Sequence, residues 1–246
     1  VQLFNQKNYN EADKMFNQSL ENPIDADLQA ACYFWIGEIR FTENKYALAI
    51  NNHVKFQDLS KVAKDLPEET TIPYSNYTIG YSYFKQKSYS NASNYFSKVT
   101  TSLKTSKTDI TQNNVYIDAV LRLGDCYFMT KDYKKAEQNY SKIIDNNSKG
   151  VDYALYQKGM LQGLQNNNNG KISTLQQIKT KYPNSLYMDD ALYEIANTYF
   201  IMKQNSSAIT GFKELVASKP NSSYAVKAYL KLGLIYFNEK DYANSE

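Results

Sequence analysis

The chain has 246 residues, with 28 basic and 25 acidic groups giving a formal net charge of +3. All but two of the bases are lysine, Arg40 and Arg122 being the exceptions, and no stripe concentrates them, which argues against a nucleic-acid face. No apolar run approaches the ~20 residues of a membrane-spanning helix, so no helical span is expected within this sequence.

Taken in order, the chain opens on Tyr9, Ala12 and Phe16, which fall at helical spacing and align with Tyr46, Ala49 and His53 further on. The helix that would precede them is mostly missing ahead of Val1, so 1–24 reads as a partial unit and the chain as a piece of a longer protein. Residues 27–66 form the first whole unit, followed by a polar, acidic insertion from Lys61 to Pro73 that contains Glu68 and Glu69. The spacing predicts a loop there, or a helix extension with a loop. The next unit spans 74–105 and runs into a second insertion, Thr100 to Asn114, rich in Ser, Thr, Lys and Asn. Both are read as surface insertions or partner contacts. Further units follow at 115–149 and 151–185. The latter has four consecutive asparagines, Asn166 to Asn169, and Lys171 where its counterparts have alanine, so local irregularity is expected.

The clearest unit is 187–222. Leu192, Ile195, Ala196 and Tyr199 form one apolar stripe, and Ala208, Phe212, Leu215 and Val216 form a second. Polar residues from Lys203 to Ser206 divide the stripes and Pro220-Asn221 closes the second, which predicts helix, turn, helix, stop. A last partial unit, 224–246, breaks off just after Tyr242. The small residue of each first helix recurs as Gly37, Gly80, Gly124, Gly159, Ala196 and Gly233, at steps of 43, 44, 35, 37 and 37 residues. An alanine and a large side chain recur on the second helix, as in Ala92 with Phe96 and Ala136 with Tyr140.

This pattern resembles the tetratricopeptide repeat over essentially the whole chain. The resemblance implies an all-α, right-handed superhelix, a solenoid with second helices on the convex side and no strand. Small residues on both helices let the axes approach, and the tyrosines fill the space around them. The phrases from Lys181 to Phe200 and from Ala217 to Phe237 also resemble the bacterial envelope members: the periplasmic tol-pal system protein and the lipoprotein of the β-barrel assembly machinery. That likeness implies a periplasmic or outer-membrane-associated scaffold, with a cytoplasmic site as the alternative.

Little in the sequence speaks for chemistry. His53 is the single histidine, at a second-helix position held elsewhere by Phe16, Phe96, Tyr140 and Phe212, so packing is expected rather than metal binding. Cys32 and Cys126 lie two repeats apart and are expected as free, buried thiols. Asp189 and Asp190 open a helix, where exposed N–H groups favour negative charge. No phosphate loop or nucleophile elbow is present, so neither an enzyme nor a cofactor is expected. The expected activity is capture of a protein or peptide partner; the alternative is a sensory or regulatory array within a larger signalling or catalytic protein. In the tetratricopeptide family the first helices line a concave groove. The resemblance places Phe34, Phe41, Tyr77, Tyr81 and Phe84 in it, with Trp35 beside them, and further along Phe128, Tyr156, Tyr193 and Phe200. Partial exposure of these side chains is expected, Tyr77, Tyr81 and Phe84 above all.

Overall fold

The computed structural model describes residues 1–21, 25–103 and 110–240, with 110–112 described by backbone alone. Every regular element among the described residues is an α-helix. The chain divides into two compact units, Val1–Asn139 and Tyr140–Glu246. The first holds α1 (Gln2–Asn5), α2 (Tyr9–Glu21), α3 (Ala26–Thr42), α4 (Tyr46–Leu59), α5 (Ile72–Lys85), α6 (Tyr89–Ser102) and α7 (Ile110–Met129). The division falls within α8 (Tyr133–Asp145), and the second unit holds α9 (Val151–Leu164), α10 (Asn168–Lys181), α11 (Met188–Ile201), α12 (Asn205–Ser218) and α13 (Ser223–Asn238). In the first unit each of α2 to α7 packs on its chain neighbours, and α3 also meets α5 and α5 meets α7. In the second unit α9 to α13 stack likewise, with α11 meeting α13. First helices therefore share one face within each unit, because a lone hairpin leaves apolar surface that only the next hairpin covers.

The small residues act at the points of closest approach, and they do so in register. A Cβ on Gly37 would stand 2.7 Å from the His53 ring, one on Gly80 2.9 Å from the Phe96 ring, and one on Gly159 2.7 Å from Leu175. Each glycine thus faces the side chain 16 positions later. The unit with Ala196 solves the same problem from the other side: Gly211 on α12 faces it, and a Cβ there would lie 2.9 Å from the Ala196 Cβ. The large residues so accommodated, Phe96 and Phe212, are fully buried.

The turn between first and second helix is equally regular. Seven residues after each small residue the backbone turns left-handed, at Asn44, Lys87, Lys131, Asn166, Lys203 and Lys240, with φ between 59° and 63°. Asn44 N–H donates to Phe41 O and Lys45 N–H to Arg40 O, and the same pair of bonds recurs at Lys87 with Ser88 and at Lys203 with Gln204. This is the Schellman closure, in which a left-handed residue lets two N–H groups satisfy the final carbonyls of the helix. Lysine and asparagine hold a conformation that glycine adopts more easily, so the sequence contains no glycine signal for it.

Three expectations are corrected or bounded by the structure. The fifth unit is not irregular at its turn: Asn166 takes the ordinary left-handed place, Asn167 caps α10 by accepting from Gly170 N–H at 3.0 Å, and Asn168 and Asn169 belong to the helix. Asparagine has two local uses here, left-handed turn and N-cap, and both fall where the repeat needs them. The Lys61–Pro73 insertion is shorter than expected, since Thr71 caps α5 and Ile72 and Pro73 lie in its first turn. Of Thr100–Asn114, residues 104–109 lie outside the described residues, while 110–114 are helical, in α7. Tyr242 and the rest of 241–246 also lie outside them, as do 22–24.

His53 is fully buried, and its Nε2 lies 3.0 Å from Glu38 Oε1. That approach is not aligned as a hydrogen bond, and both ring nitrogens lack a hydrogen-bond partner among the described residues. Cys32 and Cys126 are free and buried, and burial pushes the Cys126 thiol up to about 12. A thiol so raised carries little thiolate at neutral pH and is a poor nucleophile.

Candidate functional site

On the face shared by α3 and α5 lies a cavity of about 510 Å³. Its aromatic wall comes from Phe34, Trp35 and Phe41 on α3 and from Tyr74, Tyr77 and Tyr81 on α5. Glu38, Glu68 and Glu69 supply three carboxylates, and among the described residues no lysine, arginine or histidine lines it. The two helices bring these side chains together because the groove positions stand three before, one after and four after Gly37 and Gly80, which is one helical stripe. The loop after α4 closes one side and is fastened down. Asp27 Oδ1 accepts from Lys64 N–H at 2.6 Å and from Asp65 N–H at 2.8 Å, and buried Thr70 donates to Pro67 O at 2.8 Å. This insertion therefore carries Glu68 and Glu69 to the cavity by specific contacts, which its polar composition did not reveal.

Phe34 and Trp35 do not have the exposure the sequence reading expected. They are 3% and 7% exposed and pack with Ala30 and Phe56, Trp35 also meeting Phe4 at 4.9 Å between rings. Only part of each ring reaches the cavity, because a residue on this stripe also borders the space between α3 and its neighbours. Phe41, Tyr77, Tyr81 and Phe84 are half-buried, and so is Phe128. In the second unit Tyr156, Tyr193 and Phe200 are half-buried as well, Tyr156 stacking on Tyr187 and Tyr193 meeting Tyr224. On α13 the corresponding Leu230, Leu234 and Phe237 are exposed.

Tyr77 and Tyr81 are bound into the scaffold as well as facing the cavity. Both hydroxyls donate to Asp118 Oδ2 on α7, Tyr77 at 2.8 Å, and the Tyr81 ring meets Phe96 at 5.2 Å. Truncating Tyr81 to alanine would remove packing as well as groove surface, so that substitution does not separate the two roles. Asp118 was invisible to the sequence reading; the available signal was its place six residues before Gly124, where Asp190 stands before Ala196. Asp190 does similar work, accepting from the Tyr224 hydroxyl at 2.7 Å.

These contacts shift the phenols. Burial and then the Asp118 charge push Tyr77 and Tyr81 well above the ordinary phenol value, and the bond to Asp190 and then burial do the same to Tyr224. Tyr156 is pushed up to about 12, by burial first and by Asp190 and Glu194 next. A folded value above the unfolded one of about 10 means the fold holds these protons more tightly. The resulting stabilisation is complete below about pH 10 and is lost as pH rises through the folded values. Tyrosinate absorbance should therefore rise in two steps, with exposed phenols near pH 10 and the buried set only as helical circular dichroism collapses toward pH 12. One smooth titration with helicity intact would contradict these environments.

Among the described residues no helix is long and apolar enough to cross a membrane, and no group of three or more His, Cys, Asp or Glu could hold a metal ion.

Comparison with known proteins fits the hairpin repeat. Residues 118–149 and 153–185 match one tetratricopeptide-repeat family model, and 73–102 and 226–246 match a second. By sequence, no curated protein matches the chain. Among solved structures it is similar to YrrB, described as a TPR protein with an unusual peptide-binding site, at 18% identity and TM-score 0.60, covering 87% of this chain and 96% of that one. It is similar to a tetratricopeptide repeat protein from Parabacteroides merdae at 17% identity and TM-score 0.62, covering 99% and 85%. A third similarity, at 16% identity and TM-score 0.52, is to the Rap conjugation gene regulator of the plasmid pLS20 in complex with the Phr* peptide, covering 85% of this chain and 59% of that one. At these identities the likeness shows the fold, an all-α tetratricopeptide-repeat solenoid.

Proposed function

We propose that this chain is a non-catalytic interaction scaffold that holds a peptide or protein partner on the face shared by its first helices, in a bacterial cell envelope. The observation that carries the reading is the α3–α5 cavity, an aromatic recess with polar groups at its rim on a fold whose regular interior needs no such opening. Two of the similar structures, YrrB and the Rap regulator, are themselves described with a peptide-binding site or a bound peptide. The envelope placement is supported by the likeness of the 181–200 and 217–237 phrases to envelope repeat proteins. The Rap similarity favours a second reading, a sensory array within a larger regulator, because this chain spans only 59% of that one.

Panning a random peptide library against the purified chain tests the main reading. Selected peptides should slow amide hydrogen exchange in α3 and α5 and leave α4 and α6 unchanged. Binders that protect only second helices, or a library that yields none, would overturn it. The residues flanking this segment in its gene separate the two readings: an export or lipoprotein signal upstream supports the envelope scaffold, and an attached kinase or DNA-binding domain supports the array.

A further inference from the structure

The cavity between α3 and α5 has a sign as well as a shape. Among the described residues three carboxylates and no lysine, arginine or histidine line it, and Glu38, the most enclosed of the three, spends only one oxygen on the protein: Oε1 accepts from the Thr78 hydroxyl at 2.6 Å and lies 3.0 Å from His53 Nε2. Oε2 has no partner among the described residues. An independent observation comes from Trp35. Its ring lines the same cavity and it is 7% exposed, while its indole N–H is closed off from solvent and has no acceptor among the described residues. The ring therefore offers the cavity apolar π-surface rather than a polar group. A ligand that satisfies this wall must bring a cation for the carboxylates and must tolerate aromatic neighbours.

From these demands we infer that the cavity receives an arginine or lysine side chain of an extended peptide. The inference rests on the interaction reading above and adds the chemistry of the partner. A guanidinium or ammonium among Trp35, Phe41 and Tyr74 gains from cation–π attraction as well as from Glu38, Glu68 and Glu69. An acidic or C-terminal peptide would meet the carboxylates with like charge.

Trp35 is the only tryptophan and lines the cavity, so its indole N–H gives one nuclear magnetic resonance signal that responds to occupancy of this cavity. The probes are acetylated, amidated octapeptides of alternating serine and leucine with one central arginine, or with citrulline, lysine or glutamate in its place. The arginine and lysine peptides should shift this signal. Citrulline, which keeps the shape and loses the charge, should bind about tenfold more weakly. The exposed pair Glu68→Gln with Glu69→Gln should weaken the arginine peptide several-fold and leave the citrulline peptide unaffected, with the melting temperature unchanged. Equal binding of arginine and citrulline peptides would overturn the inference, as would an arginine peptide indifferent to both glutamate substitutions. Peptides that occupy α3 and α5 without preferring a base would defeat this inference and leave the interaction reading standing. A library with no binder at all would defeat that reading first.

Discussion

Replacing Phe96 with alanine is expected to destabilise the first unit by about 3–5 kcal/mol, the usual range for a fully buried phenylalanine. The ring meets Tyr77 at 6.2 Å and Tyr81 at 5.2 Å, and it covers Gly80 so closely that a methyl there would stand 2.9 Å from it. Truncation opens a cavity at the point where α5 and α6 approach most closely, and Tyr77 and Tyr81 lose the surface that orients them toward Asp118. At about 2–4 °C per kcal/mol, the melting temperature should drop by roughly 10 °C. Gly80→Ala alone should cost about 1–3 kcal/mol by overpacking. The double variant should cost less than the sum, because the added methyl enters the space the ring vacated. Thermal melts of the three variants decide this, and strict additivity would show that Gly80 and Phe96 do not share that space.

Glu194→Ala should cost about 3 kcal/mol in the second unit. Lys171 stands where the other units have alanine, its side chain is 9% exposed, and its Nζ meets Glu194 Oε2 at 2.5 Å. Removing the carboxylate leaves a lysine cation largely out of water with no comparable partner, a strongly destabilising change. The pair is local to this unit for a reason of volume. Gly163 occupies the position of Phe41, Phe84, Phe128 and Phe200, and a Cβ on it would lie 2.9 Å from Lys171 Cδ. The lysine stem fills what a phenylalanine fills elsewhere. Gly163→Phe with Lys171→Ala should therefore be tolerated together, and Gly163→Phe alone should be destabilising by overpacking. Chemical denaturation of the single and double variants checks the exchange; a harmless Gly163→Phe would refute it.

The hairpins were legible because they depend on local periodicity, and periodicity recurs. Gly80 with Ala92 and Phe96, and Ala196 with Ala208 and Phe212, announce close helix packing without any three-dimensional information. The candidate site was legible only in part. Its stripe, Phe41, Tyr77 and Tyr81, follows from helical phase, but the half-buried state of Tyr81 depends on Asp118, 37 residues away. The burial of Phe34 and Trp35 depends on Phe4 from α1 and Phe56 from α4. The fifth unit was misjudged at Asn166 to Asn169 because composition alone does not say which asparagine turns the backbone and which caps the helix.

What the sequence determined by itself is the repeated hairpin: the two apolar stripes of each unit and the small residues that allow close approach, since each of these is settled within one hairpin of chain. The tertiary structure alone decided which groove aromatics remain accessible, where Glu68 and Glu69 come to rest, and that Trp35 keeps an unsatisfied donor. Those outcomes depend on which side chains from neighbouring hairpins occupy the shared space and how their polar atoms are met, and packing and hydrogen-bond satisfaction across repeats leave no periodic mark on the chain.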